Sequence, residues 1–129
     1  LLDTNICSEH MKRPGGLAHR FVQYSGRLWI PAIVLGELYA GAYLLDTPDP
    51  ILAGIQELRR DVGLVDFDAA STEEFGRLRG WLKRHGSPRN PVDLMIAAVA
   101  LARGLCLVTH NTRHFQDLPD LRLEDWLTP

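Results

Sequence analysis

An α/β fold, organised as one three-layer α/β/α domain over residues 1–129 with a central, mostly parallel sheet, follows from three observations. Short apolar runs alternate with stretches of helical periodicity, the links between them are short, and no internal repeat or low-complexity linker interrupts the pattern. A chain of 129 residues has the size of one domain and buries about two thirds of its unfolded surface on folding, enough for one core.

Leu1 to Asp3 reads as the end of a strand, with Thr4 or Asn5 capping the helix that follows. Gly15-Gly16 separates that helix from a second over Leu17 to Tyr24. Leu28-Trp29-Ile30 is the next strand, and Pro31 ends it and opens a helix from Ala32 to Leu45. After the turn Asp46 to Pro50, Ile51, Ile55, Leu58 and Val62 fall at helical spacing, and Gly63 closes that helix. Leu64 to Phe67 is the third strand. Asp68 to His85 is a long amphipathic helix with Phe75, Leu78 and Leu82 facing inward and Gly86 as its C-cap. Asn90-Pro91 caps and starts the apolar helix Val92 to Ala102, Gly104 ends it, and Leu105 to Val108 is a buried strand. A short turn or helix and an edge strand near Leu121 to Leu123 complete the order. Because Leu1 is not a Met, a residue or two of the first strand is expected to precede it.

Composition excludes several classes. With 46% hydrophobic and 23% charged residues the chain is an ordinary globular one, neither disordered nor collagenous. A net charge of -2 offers no global attraction to nucleic acid, so a polyanion needs a local basic patch and a metal. Cys7 and Cys106 form no disulfide framework and no zinc-ligand spacing, which points to reducing, cytoplasmic surroundings. The apolar run Leu28 to Leu45 is broken by Pro31, Gly36, Glu37 and Gly41 and is not a membrane span.

Three carboxylates stand alone in apolar stretches. Asp3 follows Leu1-Leu2, Glu37 is the only charge from Leu28 to Leu45, and Asp93 is the only charge between Arg89 and Arg103. An acid among Leu, Ile, Val and Ala is expected to be nearly buried, where it needs a partner, yet no basic residue is close in sequence to any of the three. Two like charges about 4 Å apart repel by roughly 4 kcal/mol at an effective dielectric of about 20, so a cluster of them calls for a cation. Hard oxygen ligands without His or Cys suit Mg2+ or Mn2+. Each acid also has a plainer role open to it. Asp3 can cap a helix, Glu37 can bond a backbone amide, Tyr39 or Tyr43, with Gly36 marking close backbone approach, and Asp93 can complement a helix dipole.

In a parallel sheet, ligands sit beyond the carboxyl ends of the strands, where Asp3 and Thr109 both fall. Cations near that crevice are candidates for phosphate contact: Arg84 and Arg89 in the basic run Lys83 to Arg89, and His110, Arg113 and His114 after Thr109. The alternative is a basic helix end and a solvated loop. Asp117, Asp120, Glu124 and Asp125 read as plain solvated surface.

These motifs occur in a characteristic order. Leu1-Leu2-Asp3-Thr4-Asn5, Glu37 in Gly36-Glu37-Leu38-Tyr39-Ala40-Gly41, the segment opening at Asp93-Leu94-Met95-Ile96, and Leu107-Val108-Thr109-His110-Asn111-Thr112-Arg113-His114-Phe115 together resemble the signatures of PIN-domain nucleases. In detail the chain resembles the VapC-type toxins of bacterial toxin–antitoxin pairs, over essentially its whole length. The resemblance implies a PIN-like fold, magnesium- or manganese-dependent endoribonuclease activity, and Asp3, Glu37 and Asp93 as metal ligands, with Asn111 completing the catalytic set. It gives Thr4, Asn5 and Thr109 the supporting hydrogen bonds around those acids. It implies an RNA substrate, tRNA among the candidates, a small antitoxin whose basic side chain enters the acidic crevice, and a homodimer. Where many relatives carry a further acid, this chain has Asn111 and His114, which puts a second metal in question.

Two other readings compete. A receiver-like or phosphatase-like domain using Asp3 as phosphoacceptor fits poorly, since Lys12 and Lys83 are both in helices and Asn5 stands where a phosphatase wants an Asp. A degenerate nucleic-acid-binding module without catalysis is the other.

Overall fold

The segment Leu1 to Asp3 joins two pairs of strands. In the computed structural model, which describes residues 1–86 and 88–128, Leu2 bridges Val108 in parallel. Its N–H donates to the Trp29 carbonyl at 2.8 Å, and Val108 N–H donates to the Leu1 carbonyl at 2.7 Å. On one side β1 (Trp29–Pro31) pairs in parallel with β2 (Gly63–Val65); on the other β3 (Leu107–Val108) pairs in parallel with β4 (Leu123–Glu124). The order across the sheet is therefore β2, β1, the Leu1 to Asp3 segment, β3, β4, and the pairings among the described residues are parallel, in keeping with the mostly parallel sheet expected from the alternating pattern. Ser87, in the basic loop, and Pro129 lie outside the described residues.

Among the described residues six α-helices pack around this sheet: α1 (Thr4–Lys12), α2 (Pro14–Gln23), α3 (Ala32–Tyr43), α4 (Asp49–Asp61), α5 (Ala69–His85) and α6 (Pro91–Arg103). The apolar period of each explains its seat. Leu78 and Leu82 of α5 are buried, and α5 lies along α6, whose residues Ile96 to Ala100 are buried throughout. Leu2, Ile6, Ile30, Val34, Ile55, Leu107 and Phe115 are fully buried in one core, each contributing about 2 kcal/mol of apolar transfer free energy. Among the described residues no helix is long and apolar enough to cross a membrane.

Several boundaries differ from those read in the sequence. Asp3 itself caps α1, its carboxylate accepting from Thr4 N–H at 2.7 Å, so neither Thr4 nor Asn5 takes that place. Gly15 and Gly16 lie inside α2, because Pro14 supplies the fixed φ of a first helical position and the glycines follow it in the first turn. Gly63 starts β2 and does not close α4; a Cβ there would stand 2.4 Å from the Trp29 ring, so the strand pairing requires the missing side chain. At the start of β3, Leu105 N–H donates to the Ala100 carbonyl at 2.9 Å, which spends Leu105 on closing α6 and shortens the strand. Asn90 caps α6 as expected, accepting from Val92 N–H at 2.8 Å, and Gly104 ends it with φ +63°.

Candidate active site

Side-by-side placement of the Leu1 to Asp3 segment and β3 puts Asp3 next to Thr109 at the carboxyl ends of adjacent strands. Asp3 is buried, at 5% exposure, and both of its oxygens are engaged. Oδ1 accepts from Thr4 N–H at 2.7 Å, and Oδ2 accepts from the Thr109 hydroxyl at 2.8 Å and from Asn5 Nδ2 at 3.4 Å. Asn5 ties down the same loop from its other end: its Oδ1 accepts from His110 N–H at 2.9 Å, while Nδ2 lies 3.4 Å from Thr109 Oγ1. Thr109 Oγ1 also accepts from Asn111 N–H at 3.1 Å. A strand end, a helix start and the 109–111 loop are thus held to one another by side-chain oxygens and amides.

Asp93 sits in the first turn of α6, half-buried, its side chain 21% exposed. Burial pushes its carboxyl above the ordinary carboxylate value, the nearby His114 pulls it back, and the Asp3 charge pushes it up again. Asp3 and Asp93 are therefore near enough to interact. His114 Nδ1 lies 3.1 Å from Asp93 Oδ2, so Asp93 has a basic partner after all, from 21 residues along the chain.

Glu37 is exposed, contrary to the burial expected from its apolar flanks, because α3 turns that one position toward solvent while Val34, Leu35 and Leu38 face the core. Gly36 has open space where a Cβ would be, so it marks no close backbone approach. Glu37 Oε1 accepts from the Thr4 hydroxyl at 2.6 Å, which brings it to the residue next to Asp3. Among the described residues no three Asp, Glu, His or Cys side chains are gathered tightly enough to grip an ion alone. The chemistry of the donor set nevertheless fits a hard divalent ion: the half-buried Asp93 carboxylate with the Asp3 charge near it, and a third acid, Glu37, held by the residue next to Asp3, are all oxygen ligands of the kind that Mg2+ or Mn2+ takes together with waters. Neither thiol is poised as a thiolate: burial, with Asp3 adding to it, pushes Cys7 up to about 12, and burial raises Cys106 as well.

The candidate phosphate contacts fall into separate places. His110, Asn111, Arg113 and His114 line a cavity of about 440 Å³ together with Asp125 and Thr128. Arg89 lines a different hollow of about 550 Å³ with Arg79 and Lys83, and its guanidinium pairs with Asp117. Arg84 stands exposed in the last turn of α5. Three of the acids read as plain surface have defined partners, Glu124 accepting locally from Trp126 Nε1 at 3.1 Å. Asp117 holds Arg89, and Asp125 lies 3.1 Å from His110 Nδ1 while accepting from Leu127 N–H at 2.9 Å and Thr128 Oγ1 at 2.5 Å. The bonds to Leu127, an Asx-type turn two residues on, and to Thr128, three residues on, are local signs that Asp125 was committed. Nothing local signalled its reach to His110, 15 residues back.

A second groove, of about 490 Å³, runs between α1, α3 and α4 beside Glu37, lined by Thr4, Lys12, Leu38, Leu45 and Ile51. The receiver-like and phosphatase-like readings gain nothing here: Lys12 ends α1 and Lys83 lies in α5, neither at a strand end.

Comparison with known proteins matches residues 1–121 to the model of the PIN domain family. The chain is 40% identical over 127 residues to a tRNA(fMet)-specific endonuclease VapC of Shigella flexneri, covering 98% of this chain and 96% of that protein. Among solved structures it resembles a chain of DNA-bound VapBC from Salmonella typhimurium, with a TM-score of 0.91 and 37% identity over 97% of this chain and 96% of that one. A chain of promoter-DNA-bound VapBC2 from Rickettsia felis has the same TM-score, 0.91, at 30% identity, over 97% of this chain and 96% of that one.

Proposed function

Because the chain belongs to the VapC branch of the PIN-domain family, we propose that it is the ribonuclease toxin of a toxin–antitoxin pair, one domain over residues 1–129 that hydrolyses RNA phosphodiesters with Mg2+ or Mn2+. The observation that carries this reading is the fixed Asp3 carboxylate, bonded by Thr4 N–H and Thr109 Oγ1, within electrostatic reach of Asp93 at the open end of the sheet. A divalent ion held by Asp3 and Asp93 with Glu37 beside it would neutralise charge on the scissile phosphate and acidify a water.

The remaining roles fall to side chains of this protein. Thr4, Asn5 and Thr109 keep Asp3 and Glu37 in one orientation, which removes reorganisation from the reaction. Glu37, exposed and steadied by Thr4, orients the water whose oxygen attacks phosphorus as the bond to the leaving sugar oxygen breaks. Asn111 completes the catalytic set at the cavity wall, where His110, Arg113 and His114 contact substrate phosphates. Arg84 and Arg89 are more remote RNA contacts along the path to α6.

The naming of the Shigella relative for tRNA makes tRNA the first substrate to test. The partner is a small antitoxin, and the groove beside Glu37, apolar along Leu38, Leu45 and Ile51 with an acid at its rim, suits a partner helix that carries a basic residue. The toxin works in the cytoplasm as a homodimer. Purified protein, labelled RNA and millimolar Mg2+ test the activity: cleavage should stop with EDTA and fall at least about 100-fold in Asp3→Asn or Asp93→Asn. Cleavage that survives EDTA and both substitutions rejects the proposal.

A further inference from the structure

His114 is the donor that the described residues supply to Asp93, with Nδ1 at 3.1 Å from Oδ2. We propose that His114 is a positioning residue for metal binding, pinning the Asp93 carboxylate through Oδ2; the inference rests on the reading of the crevice as a divalent-metal site.

Three features carry it. Asp93 lies half-buried at the first turn of α6 with the Asp3 charge near it, so repulsion favours rotamers that swing its carboxylate away. A donor on Oδ2 opposes that swing and sets the direction of the other oxygen. The backbone that carries the donor is itself placed firmly. His114 ends the short 3-10 turn Thr112–His114, its N–H donates to the Asn111 carbonyl at 3.0 Å, and the next residue, Phe115, is anchored in the core at 1% exposure. An ionised carboxylate only accepts, so the bond puts the proton on Nδ1 and fixes the tautomer of the ring. Carboxylate ligands held by such outer bonds lose about 10- to 100-fold in metal affinity when the bond is removed.

Geometry separates this role from a general need for a side chain at position 114. The amide nitrogen of an Asn reaches the place of a histidine Nδ1, whereas that of a Gln reaches the place of Nε2. The experiment is calorimetric titration of the metal-free full chain with MnCl2, without RNA, for the wild type and for His114→Ala, His114→Asn and His114→Gln. The wild type and His114→Asn should bind alike. His114→Ala and His114→Gln should bind about 10- to 100-fold more weakly, with melting temperatures in EDTA that stay together. Equal affinity in the wild type and His114→Ala overturns the proposal, as does a His114→Asn variant as weak as His114→Ala. A wild type that takes up no Mn2+ overturns the metal reading itself, an outcome distinct from the other two.

Discussion

Thr4 Oγ1 donates to Glu37 Oε1 over 2.6 Å, and the backbone N–H of the same threonine donates to Asp3 Oδ1 at 2.7 Å. One residue therefore orients two acids, Asp3 at the cap before α1 and Glu37 within α3, that lie 34 positions apart. The backbone bond survives any substitution that keeps α1, but the hydroxyl bond does not.

Thr4→Val should accordingly leave Asp3 capped and release Glu37. We expect kcat on RNA to fall about tenfold, with Thr4→Ser close to wild type. Because the Thr4 to Glu37 bond is exposed, stability should change by no more than about 0.5 kcal/mol, so thermal melts and cleavage rates measured on the same samples separate the two effects. A normal cleavage rate in Thr4→Val removes Glu37 orientation from the mechanism.

Mutual repulsion of Asp3 and Asp93 makes a second prediction. A divalent ion binds the folded crevice and not the unfolded chain, so at about 100 times its dissociation constant it should stabilise by about 2.7 kcal/mol, a rise in melting temperature of about 10 °C for a domain of this size. Asp93→Asn should melt slightly higher than wild type in EDTA, because the repulsion is gone, and should lose the response to Mg2+. Identical melting with and without Mg2+ in the wild type tells against the site.

The strands, the α6 caps and the three solitary acids were legible because each depends on local pattern: apolar runs, Asn90-Pro91 before a helix, Gly104 after one, a lone charge among aliphatic residues. What escaped were matters of facing and of distant pairing. Glu37 sits among Leu35, Leu38 and Tyr39, and sequence alone does not say which side of a nearly all-apolar helix is covered; α4 and α6 cover α3 elsewhere and leave Glu37 on the open side. The partners of Asp93, Asp117 and Asp125 are His114, Arg89 and His110, all made adjacent by folding and by nothing in their sequence neighbourhoods. Tertiary pairing of this kind turned acids read as solvated surface into supports for cavity walls.

His110 follows from that last point. Its backbone is held by Asn5 Oδ1 and its ring by Asp125, so it meets the 440 Å³ cavity as a preorganised group. His110→Ala should weaken RNA binding about tenfold at low salt, the worth of one charge-assisted hydrogen bond. Asp125→Asn should reproduce part of that loss by freeing the ring, while Asp120→Asn, on an exposed residue outside this cavity, should not. Fluorescence anisotropy with a labelled oligonucleotide in EDTA reads binding without cleavage, and equal affinity in all four proteins would falsify the His110 role.

Asp68 links stability to pH. It caps α5, accepting from Ser71 N–H and Ser71 Oγ at 3.0 Å each, and pairs with Arg103 at 2.9 Å across to α6. The Ser71 backbone bond above all, then its hydroxyl, hold the Asp68 carboxyl below its ordinary value, with Arg103 adding to them. A carboxyl depressed in the folded state contributes stability that is fully present above its unfolded value near 3.9 and disappears as pH falls through the lower folded value. Asp68→Ala should therefore melt below wild type at pH 7, and the gap should narrow as the pH falls below about 4 and passes through the depressed folded value, where the wild-type cap becomes protonated as well. Asp68→Asn keeps a neutral cap and loses the ion pair, so it should fall between the two at pH 7 and change less with pH. Melting curves across that range decide the matter: a gap between wild type and Asp68→Ala that stays constant to pH 2 means that the charge of Asp68 adds nothing to the junction of α5 and α6.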